Sequence, residues 1–205
     1  MSLAYLNLKP VVAAIALWAG CSVAAWGQGG AVPTPGTGAG EAAAADLTDE
    51  AALLGALAGA GDPAEARHLE RQLQALWSRS GSASMDLLLK RGREALENGE
   101  TQAAIEHLTA LTDHAPDFAE GWYARAMAYY RAGLYGPSLA DLRRVLDLNP
   151  HHFAALTGLG TILEESGAPE DAMKAYRAAL ALNPHQDNVR QALERLEKDA
   201  EGVEI

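Results

Sequence analysis

Pro116, Pro150 and Pro184 stand 34 residues apart, and Gly99, Gly133 and Gly167 keep the same interval. Ala104, Ser138 and Ala172 keep it as well. A fixed period of this length marks a stack of helical hairpins, in which each unit buries its apolar side against its neighbours. Such an array presents a long surface suited to binding and has no single cleft for chemistry. The composition agrees, with 49% apolar residues, abundant alanine and only 6% aromatics, which favours closely packed helices over a sheet sandwich.

The positions between the markers have physical roles. Gly92, Ala126 and Gly160 are small where the two helices of a hairpin cross, and Ala104, Ser138 and Ala172 are small on the second helices, so the axes approach closely. Leu88, Trp122 and Leu156 fill the gap between hairpins, faced by Leu108, Leu142 and Tyr176. Gly99, Gly133 and Gly167 follow each first helix, where a left-handed cap suits glycine. The three prolines follow each second helix and stop it, and Asn149 and Asn183 precede two of them in non-helical backbone.

The central unit reads Trp122-x2-Arg125-Ala126-x2-Tyr129, then Ser138-x3-Leu142, then Pro150. The third reads Leu156-x2-Leu159-Gly160-x2-Leu163, then Ala172-x3-Tyr176, then Pro184, and the first reads Leu88-x2-Arg91-Gly92-x2-Ala95, then Ala104-x3-Leu108, then Pro116. Over about residues 85–186 the chain resembles the tetratricopeptide repeat family. The resemblance implies an all-α, right-handed superhelical solenoid of antiparallel hairpins, with units at 85–118, 119–152 and 153–186. Arg91 and Arg125 stand where leucine is usual, and their stems are expected to cover apolar surface while the charge reaches water.

Upstream, Gly61-Asp62-Pro63-Ala64-Glu65-Ala66 matches Gly167-Ala168-Pro169-Glu170-Asp171-Ala172 in its Gly, Pro and final Ala. Leu47–Ala60 and Pro63–Arg79 are expected to form a degenerate hairpin over 47–80, out of register by the Gly81-Ser82-Ala83-Ser84 break, that caps the N-terminal end of the array. Residues 187–200 form an amphipathic helix with Val189, Leu193 and Leu196 on one side, closing the last apolar surface.

Ahead of the helices, Lys9, the uncharged apolar run Val11–Gly20 and the small residues Ser22, Ala24 and Ala25 read as an export signal over 1–24. Cleavage after Ala24 is the favoured processing. Leu17-Trp18-Ala19-Gly20-Cys21 also resembles a bacterial lipoprotein box, which leaves lipidation at Cys21 as the alternative. Both routes predict an exported protein, periplasmic or lipid-anchored in the cell envelope. Residues 25–46 are a Gly/Pro/Ala-rich flexible linker, too poor in large apolar groups to offset the entropy of ordering.

Cys21 is the only cysteine, so no disulfide framework is possible within the chain. The net charge of −11 disfavours nucleic acid and anionic membrane surfaces. His151-His152 is the only histidine cluster, and adjacent side chains diverge too far to share an ion, so no metal or other cofactor is expected. No phosphate loop, nucleophile elbow or small-molecule substrate site is present in the pattern, and nothing suggests a buried carboxylate of shifted pKa; the chain does not read as an enzyme.

In the family the first helices of successive hairpins line a concave groove. Carried onto this chain, the positions not used for packing are Leu89, Arg93 and Glu97; Tyr123, Met127, Tyr130 and Arg131; and Thr157, Thr161, Glu164 and Glu165. Some members hold a peptide carboxylate with a Lys/Asn/Arg set, but Leu89, Ala124 and Thr157 occupy the places where polar or cationic groups would stand. The reading that follows is an adaptor that holds a protein partner through this groove. The alternative is a self-associating scaffold or an outer-membrane lipoprotein anchored through Cys21.

Overall fold

A computed structural model describes residues 50–202. The export signal, Cys21 and the whole linker of 25–46 lie outside these residues. All regular structure among the described residues is helical: α1 through residues 50–58, α2 Pro63–Trp77, α3 Ala83–Glu97, α4 Thr101–His114, α5 Ala119–Arg131, α6 Tyr135–Leu148, α7 Phe153–Glu165, α8 Pro169–Leu182 and α9 Asp187–Gly202. α3/α4, α5/α6 and α7/α8 pair as hairpins, with α3, α5 and α7 adjacent along one face, so the chain is a solenoid of antiparallel hairpins.

The period is built into the turns. Gly99, Gly133 and Gly167 have φ of 79°, 72° and 77°. At each, the next residue donates its N–H back across the helix end: Glu100 to Ala95 at 2.8 Å, Leu134 to Tyr129 at 2.9 Å and Ala168 to Leu163 at 2.9 Å. This is a Schellman cap, and the left-handed residue it needs is why glycine recurs there. Within the hairpins a Cβ on Gly160 would lie 2.5 Å from the ring of Tyr176, and one on Gly92 would overlap Leu108. The large residue of each second helix therefore fills the place left by the small residue of the first. Ser138 is fully buried and donates to the Ala126 carbonyl at 2.8 Å, tying α6 to α5.

Arg125 corrects an expectation. Its guanidinium does not reach water but clamps Asp141 across the hairpin, Nε to Oδ2 at 2.7 Å and Nη2 to Oδ1 at 2.9 Å, while Nη1 donates to Thr112 at 2.7 Å. The Trp122 ring lies 4.7 Å from its Cζ. Asp141 and the Thr112 hydroxyl supply the partners that a largely buried cation requires. Arg91 is exposed, as expected.

The upstream hairpin forms but does not cap the N-terminal end of the array. Leu57, Ala66, Leu69 and Leu73 share a core with Phe153 at the start of α7, and Leu182 at the end of α8 packs against it. Two asparagines explain this placement. Asn149 and Asn183 each accept a backbone N–H two residues on, from His151 at 2.9 Å and His185 at 3.1 Å. That turn fixes each Oδ1 as acceptor and leaves each Nδ2 free to donate. Asn149 Nδ2 donates to Glu50 of α1 at 3.1 Å, and Asn183 Nδ2 donates to Glu70 of α2. The corresponding position of the first unit is Ala115, which offers no such donor. The hairpin therefore lies along the turn edge of the second and third units. α9 closes the other end against α8, burying Val189 and Leu196.

Candidate functional site: the groove of the first helices

α5 and α7 lie side by side and leave an apolar trough between them. Tyr123, Met127 and Tyr130 come from α5, and Ala154, Thr157, Gly158 and Thr161 from α7, around a cavity of about 220 Å³ that Gln186 closes at one end. The missing side chain of Gly158 leaves room for Met127, whose Cε would stand 3.2 Å from a Cβ there. The threonine hydroxyls facing the trough are satisfied internally. Thr161 donates to the Thr157 carbonyl at 3.1 Å, and Thr157 Oγ1 lies 2.9 Å from Gln186 Oε1. With those groups paired, what remains to a ligand is mostly apolar and aromatic surface.

Of the residues assigned to the groove from sequence, Tyr123, Met127, Tyr130, Thr157 and Thr161 come together here. Leu89 does not: it is 2% exposed, buried in the core with Leu111, Ala124 and Ala128 between α3, α4 and α5. A leucine between two first helices is drawn into the interface that holds them together. Arg131 donates to the Leu96 carbonyl at 2.6 Å, so it covers the end of α3 and fastens it to α5. Glu97 is exposed. Glu164 pairs with Arg195 of α9 and accepts from Tyr176 at 2.9 Å. Glu165 accepts from the Tyr130 hydroxyl at 2.6 Å. That bond raises the Tyr130 phenol to about 12 and holds the Glu165 carboxyl below its usual range.

A buried ionic cluster adjoins the trough. Glu120, 1% exposed, receives the Arg93 guanidinium on Oε1 and His152 Nε2 on Oε2, the latter at 3.1 Å. His152, 2% exposed, uses Nδ1 to accept the Ala155 N–H at 3.1 Å and so caps α7. An Nδ1 that accepts leaves the proton on Nε2, which donates to Glu120. Trp77 stacks on the His152 ring at 4.7 Å and Tyr123 lies against it at 4.6 Å. Burial, reinforced by the Glu120 charge, pushes the Tyr123 phenol up to about 12. Arg93 also donates to Ser78 at the end of α2 at 3.0 Å, so this groove residue ties α2 to the array.

Glu120 did not stand out in the sequence, and His152 did so only as half of an adjacent histidine pair. Each looks like an ordinary polar residue at a helix start, and their 32-residue separation matches no motif. The near-coincidence of that separation with the repeat interval was the available signal, since residues about one repeat apart occupy neighbouring hairpins. The stacking of Trp77 on His152 depends on where the hairpin docks. Among the described residues no group of acidic, His or Cys side chains is arranged to hold a metal ion.

Residues 89–137 and 135–187 match a family model described as Tetratricopeptide repeat. The chain is 33% identical over 139 residues to a TPR repeat-containing protein of Rhizobium etli, covering 66% of this chain and 68% of that one. It is 27% identical over 120 residues to the human DnaJ homolog subfamily C member 3, covering 58% of this chain but only 24% of that protein. Among solved structures it resembles the first TPR of Spaghetti (RPAP3) bound to HSP90 peptide SRMEEVD, with a TM-score of 0.56, 23% identity and coverage of 58% and 94%. It also resembles the Sgt2 TPR domain from Aspergillus fumigatus, with a TM-score of 0.56, 22% identity and coverage of 60% and 82%. The repeat interval, the hairpin packing and these matches agree: the chain belongs to the tetratricopeptide repeat family.

Proposed function

We propose that this protein is an exported interaction module of the bacterial cell envelope that holds a peptide or helix of a protein partner along α5 and α7. The observation that carries this reading is the apolar trough of Tyr123, Met127, Tyr130 and Gly158, whose neighbouring polar groups are bonded within the protein. Tyr and Met are residue types that anchor interfaces, and an apolar channel bordered by satisfied polar groups suits apolar side chains of an extended or helical segment. The RPAP3 module named above is described as bound to an HSP90 peptide, which supports a peptide ligand for this groove as well. Export is supported by the charged, apolar and small-residue pattern of residues 1–26.

The groove is tested with a photo-crosslinking amino acid placed in living cells at position 127, in the trough, and separately at Glu106, on the second helix α4. Partners captured from 127, absent from 106 and lost on adding Tyr130→Ala are the expected result; the same set from both positions removes the reading. Cell fractionation and the mass of the mature protein test export. A mature chain starting at Ala25 establishes cleavage, one starting at a lipid-modified Cys21 establishes anchoring, and an intact Met1 in the cytoplasm removes both.

A further inference from the structure

A second cavity of about 360 Å³ lies where α2 meets the array and shares Tyr123, Ala154 and Gln186 with the apolar trough. One wall comes from α2 through Glu70, Gln74 and Trp77, and the other carries Glu120, His152 and His185. The Glu120 charge is already matched by Arg93. Glu70 has no ion pair among the described residues and receives only the neutral Asn183 amide. The nearest cations along its helix, Arg67 and Arg71, are exposed. His185 Nε2 is buried in the wall with no hydrogen-bond partner.

Each candidate occupant meets a different fate here. An anion would face the Glu70 carboxylate. An apolar group would strip water from Glu70, which costs free energy. A planar cation with several N–H donors suits the carboxylate, the amides and the aromatic surface of Trp77 and Tyr123 together, since guanidinium groups stack on aromatic faces as well as donating to carboxylates.

We propose that this cavity takes an arginine side chain of the peptide whose neighbouring apolar residue enters the trough. The inference rests on the groove reading and adds a charge requirement to it. α2, which lies outside the three repeats, is then part of the recognition surface and supplies the residue that selects the cation.

The test uses the full chain, ¹⁵N-labelled, titrated with N-acetyl-arginine amide and with its uncharged counterpart N-acetyl-citrulline amide. The expected result is a saturable shift of the Trp77 indole and of the Glu70 and His185 amides with the arginine compound alone. Glu70→Gln keeps an acceptor for Asn183 and should weaken that response about tenfold, the loss of one charge-assisted hydrogen bond, while the same change at the exposed Glu106 of α4 leaves it in place. No saturable shift, an equal response to citrulline, or an unchanged response in Glu70→Gln overturns the assignment. Crosslinking from position 127 that persists while the arginine compound fails to bind removes this inference alone. Binding of the arginine compound without crosslinked partners removes the groove reading instead.

Discussion

At the scale of single residues, close helix packing depends on side chains that are absent. Gly160 faces the Tyr176 ring, and Gly136 near the start of α6 has open space around it. Alanine gains up to about 1 kcal/mol over glycine from helix propensity alone. At Gly160 the added methyl must displace a packed ring, and overpacking costs about 1–3 kcal/mol. Gly160→Ala should therefore lower stability in chemical denaturation, while Gly136→Ala leaves it unchanged or slightly higher; equal effects would mean the hairpin crossing is loose. The two raised tyrosines have different causes, and titration separates them. Glu165→Gln should return the Tyr130 phenol towards 10 in an absorbance titration and leave Tyr123 near 12, because burial is the main cause at Tyr123. The sign follows. Tyr130 is raised, so its contribution to stability is present below pH 10 and lost as pH rises towards 12. Glu165 is lowered, so its contribution is present above the ordinary carboxylate range and lost as pH falls.

At the scale of elements, the repeats and the upstream hairpin are held differently. The repeats share continuous cores, whereas α1 and α2 meet the array mainly through Phe153, the Trp77–His152 stack and the two asparagine bonds. Burial of a leucine or phenylalanine side chain is worth about 1.5–3 kcal/mol and a hydrogen bond about 1 kcal/mol net, so apolar contact supplies most of the attachment and the asparagines set its position. Part of the leucine burial is internal to the hairpin. Asn183→Leu together with Trp77→Ala should speed amide hydrogen exchange in α2 and leave α5 and α7 unaffected. Equal acceleration in all three would show that α2 belongs to the same cooperative unit as the repeats. Asp62 caps α2 by accepting from Ala64 and Glu65, and those amides, Glu65's foremost, hold its carboxyl below the usual range. That contribution is present above the ordinary carboxylate range and is lost as acid protonates the carboxyl.

At the scale of the whole molecule, residues 27–45 are expected to act as a tether, and removing them should leave the melting temperature of the repeats unchanged. A lower melting temperature would show that the segment packs on the array. The helices, their turns and the hairpin register were legible in the chain because repeat packing is local: each marker acts within its own hairpin or on the next one, so its spacing survives in the sequence. The trough followed from the same register for Tyr123, Met127, Tyr130, Thr157 and Thr161. Leu89 was misplaced because the register says which side a first helix presents but not how closely its neighbour approaches. The docking of α1 and α2 was not legible, since it joins Glu50 to Asn149 and Glu70 to Asn183, positions 99 and 113 residues apart that no local period relates. Arg93, Glu120 and His152 likewise acquire a common role only when three elements converge. Local, repeated contacts leave a period in the chain, and single long-range contacts leave none, so the array could be read from its residues while the wall that α2 adds beside the trough required the folded arrangement.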